Sequence, residues 1–244
     1  MNKPDFSNLS CIYINCTLKK SPGKSHTATL VDISKNIMLK ENVQVDEIRL
    51  VDHNVANGVY PDMTEHGWKN DDWPKIFNRI INSDILVLAT PIWLGEKSSI
   101  AQKLIERLYA MSGQKNDKGQ YVYYGKVGGT IITGNEDGIK HSAMGILYSM
   151  QHIGYSIPPQ ADCGWIGEVG PGPSYGDEEW KGKKLDQPVG FNSDFTNKNT
   201  TFMTYNLLHL ASTLKKQNGY SNYGNSLDKW EDGKRWSFDN PEYR

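Results

Sequence analysis

Apolar and polar positions fall in blocks along this chain, and the blocks read as strand, helix, strand, helix. Leu9 to Cys16 is a largely apolar run that predicts a first strand, and the helix after it carries Leu30, Ile33 and Ile37 at helical spacing. Val43 to Val51 alternates as a second strand. Trp73 and Pro74 open a helix with Ile76, Phe77, Ile80 and Ile81 on one side. Ile85 to Ala89 has no polar alternation, as a strand buried on both faces of a parallel sheet requires. Pro91 is expected to end its ladder, and Ser98 or Ser99 to cap a helix whose Ile100, Leu104, Ile105 and Leu108 share a face. A fourth strand over Val127 to Thr133 leads to a helix over Ile139 to His152, and Gln160 to Ile166 is a short fifth strand. Gly167 to Asn199 reads as a long loop before a last helix carrying Met203, Leu207, Ala211 and Leu214.

Strands that alternate with helices imply an α/β doubly wound parallel sheet of five strands, with helices on both faces. One domain over residues 1–244 is expected, with 53–72 as an insertion or lid and 218–244 as an extended tail. Ligands of such sheets bind outside the carboxyl ends of the strands. The loops after strands one, three and four are therefore where chemistry is to be sought.

Composition narrows the field. The chain has 244 residues, 37% of them hydrophobic, enough for one large core. A formal net charge of -1 offers no electrostatic reason for nucleic acid or an anionic membrane as partner. The polar start and the lack of a membrane-spanning apolar run make the cytoplasm the expected location. Cys11, Cys16 and Cys163 contain no CxxC pair, so neither a disulfide framework nor a metal site is expected. Five residues apart on one strand, Cys11 and Cys16 face opposite ways and read as small buried hydrophobes.

The first loop, Thr17 to Thr27, joins a strand to a helix N-terminus. It offers hydroxyls from Thr17, Ser25 and Thr27 beside three lysines, so a phosphate fits, although Ser25 reads equally as a plain helix cap. Gly23-Lys24-Ser25 is not a P-loop, since Leu18 stands where that motif needs its first glycine. Thr90-Pro-Ile-Trp-Leu-Gly95 and Thr133-Gly-Asn-Glu-Asp-Gly138 would wall a slot beside this loop, suited to a flat, partly polar ring. Trp93 is expected at a rim, while Asn135, Glu136 and Asp137 also read as a simple surface turn.

Taken together, Asn15-Cys-Thr-Leu-Lys-Lys with Ser25-His-Thr, Thr90-Pro-Ile-Trp-Leu-Gly with Ser98-Ser99, and Thr133-Gly-Asn-Glu-Asp-Gly resemble the flavodoxin-like NAD(P)H-dependent FMN reductases and quinone reductases over roughly residues 9–217. The resemblance implies a flavodoxin-like sheet in the order 2-1-3-4-5. It assigns the FMN phosphate to Thr17, Leu18, Lys19, Ser25 and Thr27, and one side of the ring to Pro91, Ile92, Trp93, Leu94 and Gly95. Thr133, Gly134, Asn135 and Gly138 would close the other side. Lys19 stands where many members have Arg. No cysteine lies between Leu94 and Gly113, so no iron–sulfur cluster is implied.

The function implied is two-electron transfer from NAD(P)H through FMN to a small acceptor, with nicotinamide and acceptor using one open ring face in turn, hence ping-pong. No side-chain acid or base is obligatory; His141 is a candidate proton donor, and equally a cap or surface residue. Trp165, Tyr175 and Gly170 to Ser174 are candidates for the acceptor pocket. A homodimer or larger homo-oligomer is implied, helped by the tail's Trp230, Trp236, Phe238 and Tyr243. The alternatives are a one-electron carrier of the flavodoxin type and an FMN-binding scaffold without its own NAD(P)H reaction.

Overall fold

The computed structural model describes residues 4–135, 137–170 and 172–232, so Glu136, Pro171 and the tail aromatics Trp236, Phe238 and Tyr243 lie outside it. The elements run β1 (Ser10–Asn15), α1 (His26–Lys40), β2 (Gln44–Arg49), α2 (Trp73–Ile81), β3 (Ile85–Trp93), β4 (Glu96–Lys97), α3 (Ser99–Met111), β5 (Val127–Gly134), α4 (Ile139–Ile153) and β6 (Asp162–Ile166). The short β7 (Glu179–Trp180) and β8 (Lys183–Lys184), then α5 (Asp194–Lys216) and α6 (Leu227–Glu231), complete the described chain.

The five long strands are parallel in the order β2-β1-β3-β5-β6, which is 2-1-3-4-5 once the two-residue β4 is set aside. Successive residues of each strand enter opposite cores, as the pleat demands. Ile12, Ile14, Cys16, Leu86 and Leu88 pack with α2, α3 and α4, while Cys11, Tyr13, Ile85, Val87 and Cys163 pack with α1 and α5. Cys11 and Cys16 thus do face opposite ways. Burial holds all three thiols well above their ordinary pKa, as inert core atoms.

Two expectations about boundaries fail for identifiable reasons. Pro91 does not end the β3 ladder, which continues to Trp93 with Pro91 opposite Thr133 of β5. Ala89 turns its carbonyl toward β1, where it accepts from the Cys16 amide at 2.7 Å. Two residues on, Pro91 presents the same edge to a space where β1 has already ended, so its missing N–H leaves no bond unmade. The last helix begins at Asp194, inside the stretch read as loop. There buried Thr200 and Thr204 donate their hydroxyls to the carbonyls four residues back, at 2.8 and 2.7 Å, which lets a polar sequence be helical and interior.

The insertion at 53–72 is tied to α3. Fully buried Arg107 donates to the carbonyls of Gly58, Tyr60 and Pro61 and to the Asp71 carboxylate at 2.7 Å, and Asp71 also accepts from the amides of Ala56, Met63 and Trp73. The described part of the tail folds back on residues 115–126. Lys115 pairs with Asp228 and Glu231, Gln120 donates to the Ser221 carbonyl and Asn225, and Lys118 donates to the carbonyls of Asn218 and Tyr220. That clasp lies at the amino ends of the strands, so up to Asp232 the tail stays away from the carboxyl-end loops. Among the described residues no helix is long and apolar enough to cross a membrane.

Candidate functional site

At the carboxyl end of the sheet a cavity of 520 Å³ opens between α1, the β3 end and the β5 end. Its polar end is built by the loop after β1. Ser25 caps α1, its hydroxyl accepting from the Ala28 amide at 3.2 Å and from the Asn15 side-chain amide at 3.3 Å. Thr27 and Thr133, each almost wholly buried, share a hydroxyl–hydroxyl bond of 2.7 Å across 106 residues of sequence. The first-turn amides of His26 and Thr27 make no hydrogen bond among the described residues, as helix geometry dictates. Of the loop's three lysines only Lys19 lines the cavity; Lys24 is turned away to Asp177 at 2.8 Å. Arg49, a residue the sequence did not single out, braces this loop by donating to the Gly23 carbonyl at 2.8 Å.

Pro91, Ile92 and Trp93 form an apolar side, with Trp93 at the rim and 54% exposed, as expected. Leu94 and Gly95 have φ of +51° and +77°, the positive angles of a tight two-residue hairpin turn that brings Glu96 back opposite Trp93. The tip of that hairpin meets the start of α4. A Cβ on Gly138 would stand 2.5 Å from the Gly95 carbonyl oxygen, so only glycine lets these backbones touch.

That contact forms a seam. Thr17, Leu18, Lys19, Ser25, Thr27, Pro91, Ile92, Trp93, Thr133, Gly134 and Asn135 lie together on the first cavity, whereas Leu94, Gly95, Gly138 and His141 line a second one beyond the seam, of 660 Å³. His141 is bonded through Nε2 to the Glu96 carboxylate at 2.6 Å, a partner no local pattern announces. The His141 bond, helped by Lys97, holds the Glu96 carboxyl below its ordinary pKa.

A strap after β6 closes the first cavity. Trp165, Gly170, Gly172, Ser174 and Tyr175 line it, and His26, also unforeseen, bonds through Nδ1 to the Tyr175 carbonyl at 2.9 Å. The Asn135 side chain clips this strap, donating to the Pro173 carbonyl at 3.0 Å and accepting from the Ser174 hydroxyl at 3.2 Å. Burial works to raise the Asp177 carboxyl, but its bonds to Lys24 and to the Ser174 amide bring it below the usual value. Asn135 is therefore neither a free surface turn nor wholly available to a ring.

The donor set suits a phosphate monoester on a flat ring system. Unpaired first-turn amides, three hydroxyls and a lysine converge at one end, with apolar and aromatic walls at the other.

Comparison with known proteins agrees with this geometry. A segment of the divalent metal cation transporter MntH of Mycobacterium bovis is 56% identical over 212 residues, 87% of this chain; the chain spans only 30% of that protein's length. The 8-demethyl-8-aminoriboflavin-5'-phosphate synthase of Streptomyces davaonensis is 35% identical over 213 residues, covering 85% of this chain and 79% of that one. The crystal structure of RosB with bound 8-demethyl-8-formylriboflavin-5'-phosphate superposes with a TM-score of 0.78 at 33% identity, over 95% of this chain and 88% of that one. The family model described as NADPH-dependent FMN reductase matches residues 11–160, more than half of the chain. The protein therefore belongs to the NADPH-dependent FMN reductase family, and its sheet has the flavodoxin-like order.

Proposed function

We propose that this protein takes two electrons from NAD(P)H into FMN held in the first cavity and passes them to a small-molecule acceptor, in separate half-reactions. The observation that carries the reading is the pairing of a hydroxyl- and amide-rich helix N-terminus with an apolar, Trp-rimmed slot in one 520 Å³ space. Bound FMN supplies the two-electron chemistry. Thr17, Leu18, Ser25 and Thr27 bind its phosphate, and Lys19 offsets the charge. Pro91, Ile92 and Trp93 lie along one side of the ring and Thr133, Gly134 and Asn135 along the other, with the Leu94-Gly95 turn and Gly138 closing the slot. His141 is placed outside this first cavity, beyond the Gly95–Gly138 contact. Stopped-flow mixing with NADPH should bleach the flavin without acceptor, and steady-state double-reciprocal lines should be parallel; intersecting lines would overturn the separate half-reactions. An NAD(P)H reaction would also set the protein apart from a flavodoxin-type carrier or a scaffold. We place the protein in the cytoplasm, as a homo-oligomer, with sedimentation of a chain cut before Asn222 as the test of the tail's part in assembly.

A second reading is favoured by the synthase relative and by the likeness to RosB: a riboflavin phosphate is the substrate, released in altered form. Mass spectrometry of the flavin after turnover separates the two, since an unchanged FMN mass supports the reductase. The transporter relative supports testing a chelated trivalent metal as acceptor, because reducing it would furnish a divalent cation.

A further inference from the structure

A third cavity, of 600 Å³, lies at the amino ends of the strands, at the opposite end of the sheet from the other two. It is bordered by the 115–126 loop, the end of α5 and the residues that follow that helix. Gly125 approaches Gly219 so closely that a Cβ on it would lie 3.3 Å from the Gly219 Cα, which sets the loop against the chain after α5. Val122, Leu214 and the rings of Tyr124 and Tyr220, edge to face at 6.1 Å, give the hollow apolar surface. Most of the charges around it are already engaged. Lys115 pairs with Asp228 and Glu231, and Lys118 donates to the carbonyls of Asn218 and Tyr220. Lys215 donates to the Asn8 carbonyl at 2.6 Å and to Asp84 at 2.8 Å, and Asp84 also accepts from the Ser10 amide at 2.8 Å.

Lys126 is the exception. It lines the same cavity and is half-buried, yet its ammonium has no hydrogen bond or ion pair among the described residues. Burial pulls that ammonium below the ordinary lysine pKa, with Asp84 opposing the pull and Lys215 adding to it. A half-buried cation short of a counter-charge is stabilised by an anion that reaches it, and apolar walls beside it favour an anion that carries a ring. One free cation matches a monoanion and leaves a dianionic phosphate half-compensated.

From these observations we infer that the third cavity binds an aromatic monocarboxylate, its carboxylate on the Lys126 ammonium and its ring against Tyr124 and Tyr220. The site is independent of the oxidoreductase reading, since it shares no described lining residue with the cofactor cavity.

The test is a calorimetric titration of the FMN-loaded protein with 2-naphthoate. Saturable binding is expected, weakened roughly tenfold or more in Lys126→Met, which keeps an apolar stem and removes the charge. The neutral counterpart 2-naphthalenemethanol should bind the native protein roughly tenfold or more weakly than 2-naphthoate does. Lys198→Met, exposed on α5 and outside the cavity, should bind 2-naphthoate as the native protein does, and FMN content should be unchanged in both variants. A second measurement needs no variant. In the native protein 2-naphthoate should protect Lys126, and not Lys198, from reductive methylation by formaldehyde and cyanoborohydride, read by peptide mass spectrometry. No saturable binding, equal binding by Lys126→Met, equal binding of the alcohol, or methylation of Lys126 that the ligand does not slow would each overturn the assignment.

Discussion

Replacing Thr27 by Val tests the phosphate end of the cofactor cavity most directly. Val keeps the shape and removes the hydroxyl of a residue that is 2% exposed, a hydroxyl bonded to that of Thr133 at 2.7 Å. Without ligand, the change leaves the buried Thr133 hydroxyl with no partner, which costs about 1–3 kcal/mol. The double variant Thr27→Val with Thr133→Val leaves no orphaned group, so its destabilisation should fall short of the sum of the single changes by about 1 kcal/mol. Binding is a separate quantity. If Thr27 also faces the phosphate, FMN affinity falls by about 1–3 kcal/mol, roughly 5- to 150-fold in Kd. Urea unfolding of the flavin-free proteins measures the first effect, and quenching of flavin fluorescence on binding measures the second. A Thr27→Val protein that loses stability but binds FMN within about twofold of native would show that the hydroxyl serves only its neighbour, and the phosphate would have to be placed elsewhere.

Three further outcomes are expected. Arg107→Met breaks a buried pair and strands Asp71 and three carbonyls, so urea unfolding should show a loss of about 3–5 kcal/mol; a loss under about 1 kcal/mol would mean that the insertion is not anchored through this pair. Asn135→Ala removes both clips on the strap, and FMN should leave roughly 5- to 30-fold faster, as about 1–2 kcal/mol of tethering implies, in a displacement experiment with excess riboflavin phosphate analogue. Arg79 grips Asp46 at 2.6 and 2.9 Å and holds its carboxyl below the ordinary aspartate value of 3.8. That contribution is fully present above the ordinary value and is lost as pH falls through the lower folded one, so Asp46→Asn should flatten the acid limb of the stability curve in that range and leave its neutral-to-alkaline shape unchanged.

Much of the architecture is legible in the chain because it depends on neighbours in sequence. Unbroken apolar runs such as Ile85 to Ala89 are tolerated only in strands covered on both faces, and the 3.6-residue spacing of Ile76, Phe77 and Ile80 marks the face a helix buries. The glycines and hydroxyls of the three carboxyl-end loops likewise announce themselves, since few residue types serve a helix cap or a tight turn. What the chain alone could not decide are the pairings made across the fold. Thr27 with Thr133, Asn135 with Pro173, His141 with Glu96 and Arg107 with Asp71 join residues 36 to 106 positions apart, and no local periodicity encodes a partner at that range. The same holds where context reverses a local preference. Pro91 stays in its strand because the neighbouring strand has ended beside it, and Thr200 and Thr204 sit in a buried helix because the helix backbone accepts their hydroxyl protons. One loop pair in sequence thus lines two cavities in space, because the backbones of Gly95 and Gly138 touch where a Cβ on Gly138 would stand 2.5 Å from the Gly95 carbonyl oxygen.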